Sequence, residues 1–313
     1  MKIDIVIPNY NGTNLIKKNL PVLISCIKKY EVGEIIIVDD FSKSQEFDEL
    51  QSFVKKTKNG SDVKIKLLRN DKNLGFSSTV DHGVLQASAE YIVLLNTDVT
   101  PEKNFLDKAI FDLDRNPDLF GVGMLDKSVE GGKIVLRGRG IASWKRGFVV
   151  HSRGEVDKTD TFWISGGSSI VRRELFVKLG GFDTLYNPFY WEDIDLSYRA
   201  RKSGYNLEFN PASIVEHRHE EGAIKKYYKP SRIKKIAYRN QFIFVWKNIT
   251  DTNLFISHFV WLPFHFTKAI ISLDFAYLHG FLLALAVLPD IIKKRNMQKK
   301  LYKRGDQELL YEK

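Results

Sequence analysis

Four short apolar segments, each followed at once by polar residues, constrain the fold of this chain more than any other feature. The segments are residues 3–7, 35–38, 65–68 and 91–95, and the polar residues that follow them include Asn9, Asp40, Arg69 and Asp98. Apolar residues recur at helical spacing between the segments, as in residues 15–27. Uniformly apolar strands that alternate with helices indicate a parallel sheet covered on both faces. We therefore predict an α/β fold with a mainly parallel central sheet and helices on both of its faces.

The polar residues at the ends of these strands predict a ligand site. In open α/β sheets, ligands bind beyond the carboxyl ends of the strands, and all four predicted strands end in polar side chains. The chain has no Gly-x-Gly-x-x-Gly after its first strand and no Gly-x-x-x-x-Gly-Lys-Ser/Thr motif. The sequence therefore supports neither a common dinucleotide-binding fold nor a P-loop.

Net charge and cysteine content limit the partners and the compartment. The 313 residues carry a formal net charge of +10, which predicts attraction to phosphate in nucleic acid, in anionic lipid or in a phosphorylated ligand. Nucleic acid fits least, because the basic residues gather near an apolar tail instead of alternating with aromatic residues on a sheet. Cys26 is the only cysteine, and the polar N-terminus lacks the apolar run of a signal peptide. We expect the front of the chain to stay in the cytoplasm.

The middle of the chain is predicted to be less regular. Residues 133–160 are rich in glycine and basic side chains, which indicates a mobile loop or a small inserted group of strands. A helix is predicted near residues 173–179, ended by Gly180 and Gly181, and a second over residues 193–202, ended by Gly204.

The last part of the chain is apolar and basic. Residues 254–292 are mostly apolar, but polar residues interrupt them, so no unbroken stretch reaches the roughly 20 residues needed to cross a bilayer. Lys268 and a later basic cluster accompany this stretch. The cluster comprises Lys293, Lys294, Arg295, Lys299, Lys300, Lys303 and Arg304. An apolar face with a basic flank is typical of helices that lie on a membrane surface, and a helical cap packed on the rest of the protein is the alternative.

Two acidic strand ends carry the first candidate ligand groups. Asp98 follows an apolar strand, where its carboxylate can reach a Mg²⁺ or Mn²⁺ ion that also holds phosphate oxygens, and a helix N-cap is the alternative. Asp39 and Asp40 face opposite ways after the second strand, so one can serve a ligand and the other the scaffold. Turn formation with Ser42 is the alternative for this pair.

A run of three acids supplies the candidate base. Acids in the first turn of a helix favour the helix dipole, which explains one or two of them. Three acids directly after several aromatic residues need a further explanation, because aromatic faces stack on sugars and partial burial raises the pKa of a carboxyl group. We predict that Asp193 is a general base and that Glu192 contacts the acceptor, which is the molecule that Asp193 deprotonates. We also predict an ion pair between Asp195 and Arg199.

A histidine is the candidate partner of Asp98. His217 and His219 follow the apolar pair Ile214 and Val215. One imidazole at this position can complete a metal shell begun by Asp98. A histidine with an ordinary surface or core role is the alternative.

These motifs, taken in order, resemble the inverting family 2 glycosyltransferases over residues 2–221. The motifs are Asp4-Ile-Val-Ile-Pro-Asn-Tyr-Asn11, Ile36-Ile-Val-Asp-Asp-Phe-Ser42, Asn73-Leu-Gly-Phe76, Leu94-Leu-Asn-Thr-Asp98, Ser165-Gly-Gly-Ser-Ser169, Gly180-Gly-Phe-Asp183 and Glu192-Asp-Ile-Asp-Leu-Ser-Tyr-Arg199. The third and fourth motifs are similar to the branch that includes rhamnosyl and galactofuranosyl transferases.

The resemblance implies the nucleotide-diphospho-sugar transferase (GT-A) fold and assigns roles by position. It implies that Asp40 reads the base of a uracil or thymine nucleotide, and Asn96 stands where the family's Asp-x-Asp motif has its first acid. The implied donor-binding residues are Pro8, Asn9, Tyr10, Asp40, Arg69, Asn73, Gly75, Asn96 and Asp98. The implied acceptor-binding residues are Gly166, Gly167, Trp191 and Glu192. The implied catalytic base is Asp193, and the implied ligands of a Mg²⁺ or Mn²⁺ ion are Asp98 and His217.

The resemblance also implies a domain order. Residues 1–225 are expected to form the catalytic domain, with a nucleotide-sugar half (1–100) and an acceptor half (101–225). Residues 226–313 are expected to form a helical, apolar and basic region that associates with a membrane.

The activity implied is inverting transfer of a sugar from a UDP- or dTDP-linked donor, with rhamnose as the first interpretation. The implied acceptor is a saccharide or a lipid-linked saccharide at the cytoplasmic side of a bacterial or archaeal membrane, in cell-surface polysaccharide synthesis. One alternative is a sugar nucleotidylyltransferase, whose opening loop normally carries cations that residues 8–12 lack. The other is a non-catalytic sugar-binding or scaffold relative.

Overall fold

The N-terminal segments build a parallel half-sheet. The computed structural model describes residues 2–58, 63–218 and 227–311. Its first four strands are β1 (Ile3–Asn9), β2 (Val32–Asp39), β3 (Lys64–Arg69) and β4 (Tyr91–Leu95). They lie in the order β3-β2-β1-β4 and all run parallel. The four predicted strands are confirmed, and their carboxyl ends share one edge of the sheet.

Helices cover both faces of this half-sheet, as predicted. The connecting helices are α1 (Thr13–Ile27), α2 (Ser44–Lys58) and α3 (Phe76–Gln86). Successive strand residues point to opposite faces, so Ile5 packs in one apolar cluster and Val6 in another. The first cluster includes Leu20 of α1, and the second includes Val80 of α3.

The second half of the sheet is mixed. Its strands are β5 (Val99–Pro101), β6 (Leu119–Glu130), β10 (Ser168–Arg172) and β11 (Asn206–His217), with helix α4 (Asp107–Arg115) between β5 and β6. Strand β10 lies antiparallel between β4 and β6, β11 runs parallel to β6, and β5 runs antiparallel to β11. The prediction of a mainly parallel sheet therefore describes the first four strands, and the later strands add antiparallel pairs.

Strands occupy most of residues 133–160, which is the second of the two predicted possibilities. Strand β7 (Lys133–Arg137) pairs with β6, whereas β8 (Gly140–Lys145) and β9 (Phe148–Arg153) pair with each other. Both turn residues between β8 and β9 have positive φ, 49° at Arg146 and 80° at Gly147. This backbone matches the twist of a two-residue hairpin, which explains the glycine.

The two predicted helices of the middle region are present. They are α5 (Arg173–Lys178) and α6 (Glu192–Lys202). Gly180 and Gly204 follow them with φ of 86° and 91°, a left-handed backbone that glycine adopts without steric cost.

The C-terminal region is helical, as predicted. Its helices are α7 (Pro230–Asn248), α8 (Thr252–Ile271), α9 (Phe275–Ala286), α10 (Leu288–Gln298) and α11 (Asp306–Leu310). The predicted boundary at residue 225 lies outside the described residues.

Helix α7 packs on the preceding part of the chain. Phe242 and Phe244 are fully buried, and they share one apolar cluster with Phe148 of β9 and Tyr198 of α6. The helices that follow leave many apolar side chains in solvent, among them Ile271, which is 78% exposed. The region therefore acts as a cap through α7 and also presents an apolar surface.

Helix α8 differs from the sequence expectation. Polar residues that were predicted to break the apolar stretch lie inside one helix of 20 residues, which is long and apolar enough to cross a membrane by length and composition. Two of them point towards the protein: His258 accepts a hydrogen bond from Trp246 Nε1 at 2.9 Å, and His265 Nε2 lies 2.7 Å from Arg146 O. Helices α9 and α10 pass the same test only as a pair bent by 65°.

A buried network of charges joins α6 to α7. Lys247 Nζ lies 2.7 Å from Asp183 Oδ2 and 2.7 Å from Asp195 Oδ1, and Arg199 Nε lies 2.8 Å from Asp195 Oδ2. The predicted Asp195–Arg199 ion pair is confirmed. Burial disfavours charge on Asp183, but Lys247 and Lys294 outweigh that cost and hold the pKa of Asp183 well below its usual range.

We predict that Lys247→Met destabilises the fold, because it removes the cation between two buried carboxylates. Breaking a buried ion pair costs about 3–5 kcal/mol, and we expect the free energy of unfolding to fall by about that amount in urea titrations followed by circular dichroism. Lys234→Met is the matched control, since it removes an exposed lysine of the same helix that pairs with Asp274. We expect its unfolding midpoint to stay near the wild-type value. Equal losses in the two variants would contradict the role of Lys247.

Candidate active site

Asp39 anchors the ends of three neighbouring strands. It ends β2, with Asn9 beside it on β1 and Arg69 beside it on β3. Asn9 Nδ2 donates to Asp39 Oδ1 at 2.8 Å, and Arg69 Nε lies 3.6 Å from Asp39 Oδ2. The backbone N–H of Ser42 donates to Asp39 Oδ2 at 3.0 Å, so the predicted turn with Ser42 is also present. Asp39 is fully buried and serves the scaffold.

Asp40 holds the loop that follows β3. Its Oδ1 accepts from Asn70 Nδ2 and from the backbone N–H of Leu74, both at 2.8 Å, and its Oδ2 accepts from the backbone N–H of Gly75 at 2.9 Å. Both acids of this pair therefore bond to the scaffold, although only one was predicted to do so. A carboxylate accepts about four hydrogen bonds, so Asp40 can accept one more from the N–H or O–H group of a ligand.

Three more residues predicted to contact the sugar donor lie at the end of β1 and in the loop after β3. Pro8 and Tyr10 are half-buried on either side of Asn9, and Asn73 is exposed. The Arg69 guanidinium lies over the ring of Phe47, 4.0 Å from its centroid, which fixes a cation at this edge of the sheet.

The loop at Gly75 contacts the segment that leads to α6. Gly75 has a φ of 86°, and a Cβ there would lie 2.8 Å from Asn187 Oδ1. Asn187 Nδ2 in turn donates to Leu74 O at 2.7 Å. One loop therefore contacts both Asp40 and the segment that leads to Trp191 and Glu192, two of the predicted acceptor contacts.

Gly166 and Gly167 join the end of β4 to the candidate base. The backbone N–H of Asn96 donates to Gly167 O at 3.0 Å, because β10 starts beside the end of β4. The backbone N–H of Gly166 lies 3.5 Å from Asp193 Oδ2. The strand end that bears Asp98 and the start of α6 therefore meet across two glycines.

His217 lies between two carboxylates. Strand pairing places it beside Val99 on β5 and beside Ser128 on β6. Its Nε2 is 3.3 Å from Asp98 Oδ1, and its Nδ1 is 2.8 Å from Asp126 Oδ2. Burial disfavours charge on the imidazole, but the hydrogen bonds with Asp126 and Asp98 outweigh that cost and raise the pKa of His217 to about 9.

The Asp98–His217 pair fits a divalent cation. Bonds of about 2.1 Å to an octahedral ion place adjacent ligand atoms about 3.0 Å apart, close to the 3.3 Å seen here. A carboxylate on the second ring nitrogen, as Asp126 provides, commonly orients a metal-binding histidine. Within residues 2–58, 63–218 and 227–311, no three His, Cys, Asp or Glu side chains form a metal-binding group by themselves. His219, the other predicted ligand, lies outside the described residues.

The segment before α6 has an unusual backbone. Tyr190 and Trp191 have φ of 72° and 76°, and bulky residues rarely adopt this left-handed conformation outside functional sites. Asn240 of α7 holds the segment by donating from Nδ2 to the carbonyls of Phe189 at 3.0 Å and Tyr190 at 2.8 Å. The predicted acceptor contact Trp191 is 6% exposed and packs 5.1 Å from the ring of Phe244, so most of its ring belongs to the core.

Glu192 and Asp193 are acids without a cation. No described lysine or arginine forms an ion pair with either, and burial raises the pKa of Asp193, although backbone N–H groups including that of Ile194 oppose the shift. Burial, followed by the charge of Asp193, raises the pKa of Glu192 well above its usual value. Asp193 is half-buried and so reaches solvent, where a carboxylate of raised pKa can take a proton from a ligand hydroxyl.

Two residues of this site were missed from the sequence. Asp126 follows the apolar residues 122–125, and the rule that polar strand ends face the ligand would have selected it. Asn187 carried no such signal, because its contacts with Leu74 and Ser78 span more than a hundred residues of chain.

Comparisons with known proteins identify related sequences. The model of the family described as glycosyl transferase family 2 matches residues 4–180. The chain is 24% identical over 257 residues to N-acetylgalactosaminyltransferase 7 of Drosophila melanogaster, an alignment that covers 76% of this chain and 41% of the relative. It is 25% identical over 181 residues to N-acetylglucosaminyl-diphospho-decaprenol L-rhamnosyltransferase of Mycobacterium tuberculosis, which covers 49% of this chain and 58% of the relative. The chain therefore spans less than two thirds of the length of these relatives.

A solved structure shares the fold. It is GalNAc-T7 with UDP, GalNAc and Mn²⁺, which superposes with a TM-score of 0.64 at 17% identity, over 79% of this chain and 48% of that chain. At this level of identity the likeness concerns the fold, and the ligands belong to the other protein.

We predict that Gly167→Ala disturbs the end of β4. A Cβ at this position would lie 2.2 Å from Asn96 Nδ2, so the amide must turn away or the strand must shift. Overpacking of this kind costs about 1–3 kcal/mol, and we expect that decrease in the free energy of unfolding measured in urea. Gly305→Ala is the control, because its nearest atom would be 3.5 Å away at an ordinary backbone φ of −76°. If Gly167→Ala is as stable as the wild type, the Asn96 amide can turn away from the new methyl group without cost, and the prediction is wrong.

Proposed function

The chain belongs to glycosyl transferase family 2 and has the GT-A nucleotide-diphospho-sugar transferase fold, and from this we propose that it is an inverting glycosyltransferase. In this proposal a sugar passes from a nucleotide-diphosphate donor to an acceptor hydroxyl. The observation that carries the proposal is the pair of contacts from Gly167 to Asn96 and from Gly166 to Asp193, because they bring a candidate base beside the strand end that bears Asp98.

The donor is proposed to bind beyond the carboxyl ends of β1 to β4. A uracil or thymine N–H would donate to Asp40, whose carboxylate can accept a further hydrogen bond. Arg69 supplies a cation at this edge of the sheet, where it favours a phosphate-bearing ligand. The remaining proposed donor contacts are Pro8, Asn9, Tyr10, Asn73, Gly75, Asn96 and Asp98. The presence of UDP in the solved structure of GalNAc-T7 supports a nucleotide at this kind of site.

Mg²⁺ or Mn²⁺ is the proposed cofactor, with Asp98 and His217 as its protein ligands. Such an ion, when bound, neutralises the charge that grows on a diphosphate leaving group. Asp126 accepts a hydrogen bond from His217 Nδ1 and so directs Nε2 towards Asp98. The Mn²⁺ in the GalNAc-T7 structure supports this choice of ion.

Asp193 is the proposed general base. It removes the proton of the acceptor hydroxyl while the hydroxyl oxygen forms a bond to the anomeric carbon from the face opposite the diphosphate. The bond from that carbon to the diphosphate oxygen breaks, and its electron pair leaves with the diphosphate. One displacement of this kind inverts the anomeric configuration. The proposed acceptor contacts are Gly166, Gly167, Trp191 and Glu192.

The proposed acceptor is a lipid-linked saccharide, used in cell-surface polysaccharide synthesis at the cytoplasmic side of a membrane. Exposed apolar side chains on α8 and α9 support a peripheral position on the membrane, together with the exposed Lys293 of α10. The name of the Mycobacterium tuberculosis relative specifies a decaprenol-linked acceptor and rhamnose as the transferred sugar. We therefore propose rhamnose from a dTDP donor as the first substrate to test.

We predict that Asp193→Asn abolishes most transfer while the protein still binds its donor. Loss of a general base lowers kcat by about 10²- to 10⁴-fold, measured with dTDP- and UDP-sugars, Mn²⁺ and a soluble acceptor, with donor binding followed by thermal shift. Burial raises the pKa of Asp193, and the base must be unprotonated, so wild-type kcat/KM should fall with decreasing pH at a value above the ordinary aspartate pKa of about 3.9. Asp114→Asn, an exposed acid on α4, is the control. Wild-type transfer by Asp193→Asn, or a product of retained anomeric configuration, would reject the mechanism.

We predict that Asp126→Asn weakens metal binding without touching a metal ligand. Carboxylates that orient a metal-binding histidine contribute about 10- to 100-fold to metal affinity, so we expect a loss in that range for Mn²⁺ titrated under electron paramagnetic resonance. Asp118→Asn, an exposed acid before β6, should bind Mn²⁺ as the wild type does. Unchanged Mn²⁺ affinity in both Asp126→Asn and Asp98→Ala would exclude this metal site.

A further inference from the structure

A cavity of about 520 Å³ lies between α7 and α9, and none of the predicted site residues lines it. Its volume falls within the roughly 300–1,000 Å³ that is usual for ligand sites. Cationic side chains of α7 form one part of its wall, and apolar side chains of α7 and α9 form another. A cavity with this division suits a ligand that has an anionic end and an apolar end.

The cationic part of the wall comes from one face of α7. Arg232, Lys235 and Arg239 are three and four residues apart, so their side chains share a face of the helix. Arg239 is already committed, since its Nη2 donates to the carbonyls of Leu185 and Asn187, both at 2.6 Å. Arg232 lies over the ring of Tyr228, 4.9 Å from its centroid, and neither Arg232 nor Lys235 forms an ion pair with any carboxylate that the structure describes. Two cations therefore remain for a ligand.

An acid near this face is already neutralised. Asp274, which precedes α9, pairs with Lys234 Nζ at 2.8 Å and accepts a hydrogen bond from Tyr238 at 2.8 Å. His279, also in the cavity wall, uses Nδ1 in a hydrogen bond with Phe275 O. The charge that a ligand meets inside the cavity is therefore positive.

The apolar part of the wall opens onto the exposed surface of α9. Phe275 and Leu283 both line the cavity, yet they are 58% and 43% exposed. Leu282, next to Leu283, is 59% exposed. These exposed apolar side chains offer packing partners to a hydrocarbon chain that leaves the cavity.

The cavity also borders the proposed active site. Pro188 forms part of its wall, and the backbone carbonyl of Pro188 accepts a hydrogen bond from the N–H of Phe76, next to the Gly75 that bonds to Asp40. Asn187 contacts Leu74 from the same segment. The segment around Pro188 therefore contacts both the cavity and the loop that bonds to Asp40.

We propose that this cavity binds a lipid that ends in a phosphate or diphosphate, with the head on Arg232 and Lys235 and the apolar tail along Phe275 and Leu283. The proposal rests on the proposed function, because it identifies where the lipid part of the acceptor is held. Soluble phosphate would use the two cations but would leave the apolar wall without a partner. The cavity therefore favours a lipid phosphate, because the two cations bind its head and the apolar wall binds its tail.

The test is vesicle co-flotation of the full purified chain. Phosphatidylcholine vesicles that contain undecaprenyl phosphate are compared with phosphatidylcholine vesicles that contain phosphatidylglycerol, and inorganic pyrophosphate is the soluble competitor. We expect the wild type to prefer the undecaprenyl phosphate vesicles, and the double variant R232Q/K235Q to lose about tenfold or more of that affinity, since each lost charge-assisted bond is worth about a factor of ten. The matched control is K55Q/K56Q, which removes two exposed lysines of α2 that belong neither to the cavity wall nor to the C-terminal basic cluster, and it should bind as the wild type does.

A second pair of variants tests the cavity without changing charge. Ala276→Phe fills the cavity from α9, whereas Ala286→Phe places the same side chain on the exposed end of the same helix. We expect loss of preference for undecaprenyl phosphate only in Ala276→Phe, with unfolding midpoints showing that both variants fold. Wild-type preference in both R232Q/K235Q and Ala276→Phe overturns the proposal. Equal binding of phosphatidylglycerol vesicles by the wild type also overturns it, because it indicates only a general attraction to anionic membranes.

Donor hydrolysis by the wild type separates this inference from the proposed function. Release of nucleotide diphosphate from the donor in the presence of Mn²⁺, without lipid, reports on the proposed active site alone. Donor hydrolysis with no lipid preference leaves the proposed function in place and rejects the cavity. Absence of both donor binding and donor hydrolysis rejects the proposed function, whatever the vesicles show.

Discussion

The buried carboxylate of Asp195 is the interaction on which the rest of the site depends. It accepts hydrogen bonds from the Tyr186 hydroxyl and Arg199 Nε at 2.8 Å and from Asn248 Nδ2 at 2.7 Å, and it pairs with Lys247. These partners come from the segment before α6, from α6 itself and from α7. Because Asp193 lies two residues earlier on α6, the contacts that hold Asp195 also fix where the proposed base lies. A network of this kind is stable only when every member is paired, as it is here.

Acids within one turn of α6 differ in proton affinity because only one of them has cations beside it. Burial alone would raise the pKa of Asp195, but Lys247 and Arg199 outweigh burial and lower it. Asp193 and Glu192 have no such cations, so burial raises the pKa of both. Residues two apart on a helix do not share a face, which lets neighbouring acids occupy such different surroundings. One acid therefore stays charged to hold the fold, while the pKa of Asp193, the proposed base, is raised.

Local patterns predicted the parallel half-sheet, its polar strand ends and the helix that begins near Asp193, because strand period, helix ends and turn residues are properties of short segments. The sequence could not show contacts between distant segments. The bond from His217 to Asp126 spans 91 residues, and the bond from Asn240 to Phe189 spans 51. The same limit explains α8, where His258 was expected to interrupt an apolar stretch. Its partners lie on α7 and on the β8–β9 turn, and they let a polar side chain remain within a continuous helix.

Helix α7 connects the proposed chemistry to the apolar surface of the protein. On one side, Asn240 and Arg239 hold the backbone carbonyls of the segment before α6. On the other side, Gly280 lets α9 approach closely, since a Cβ there would lie 2.7 Å from the Cβ of Tyr238 and 2.9 Å from the backbone nitrogen of Arg239. Close packing transmits small displacements, because interiors of this density have few voids to absorb them. A ligand bound between α7 and α9, as proposed, would therefore contact the same helix that holds the segment before α6, next to the proposed base.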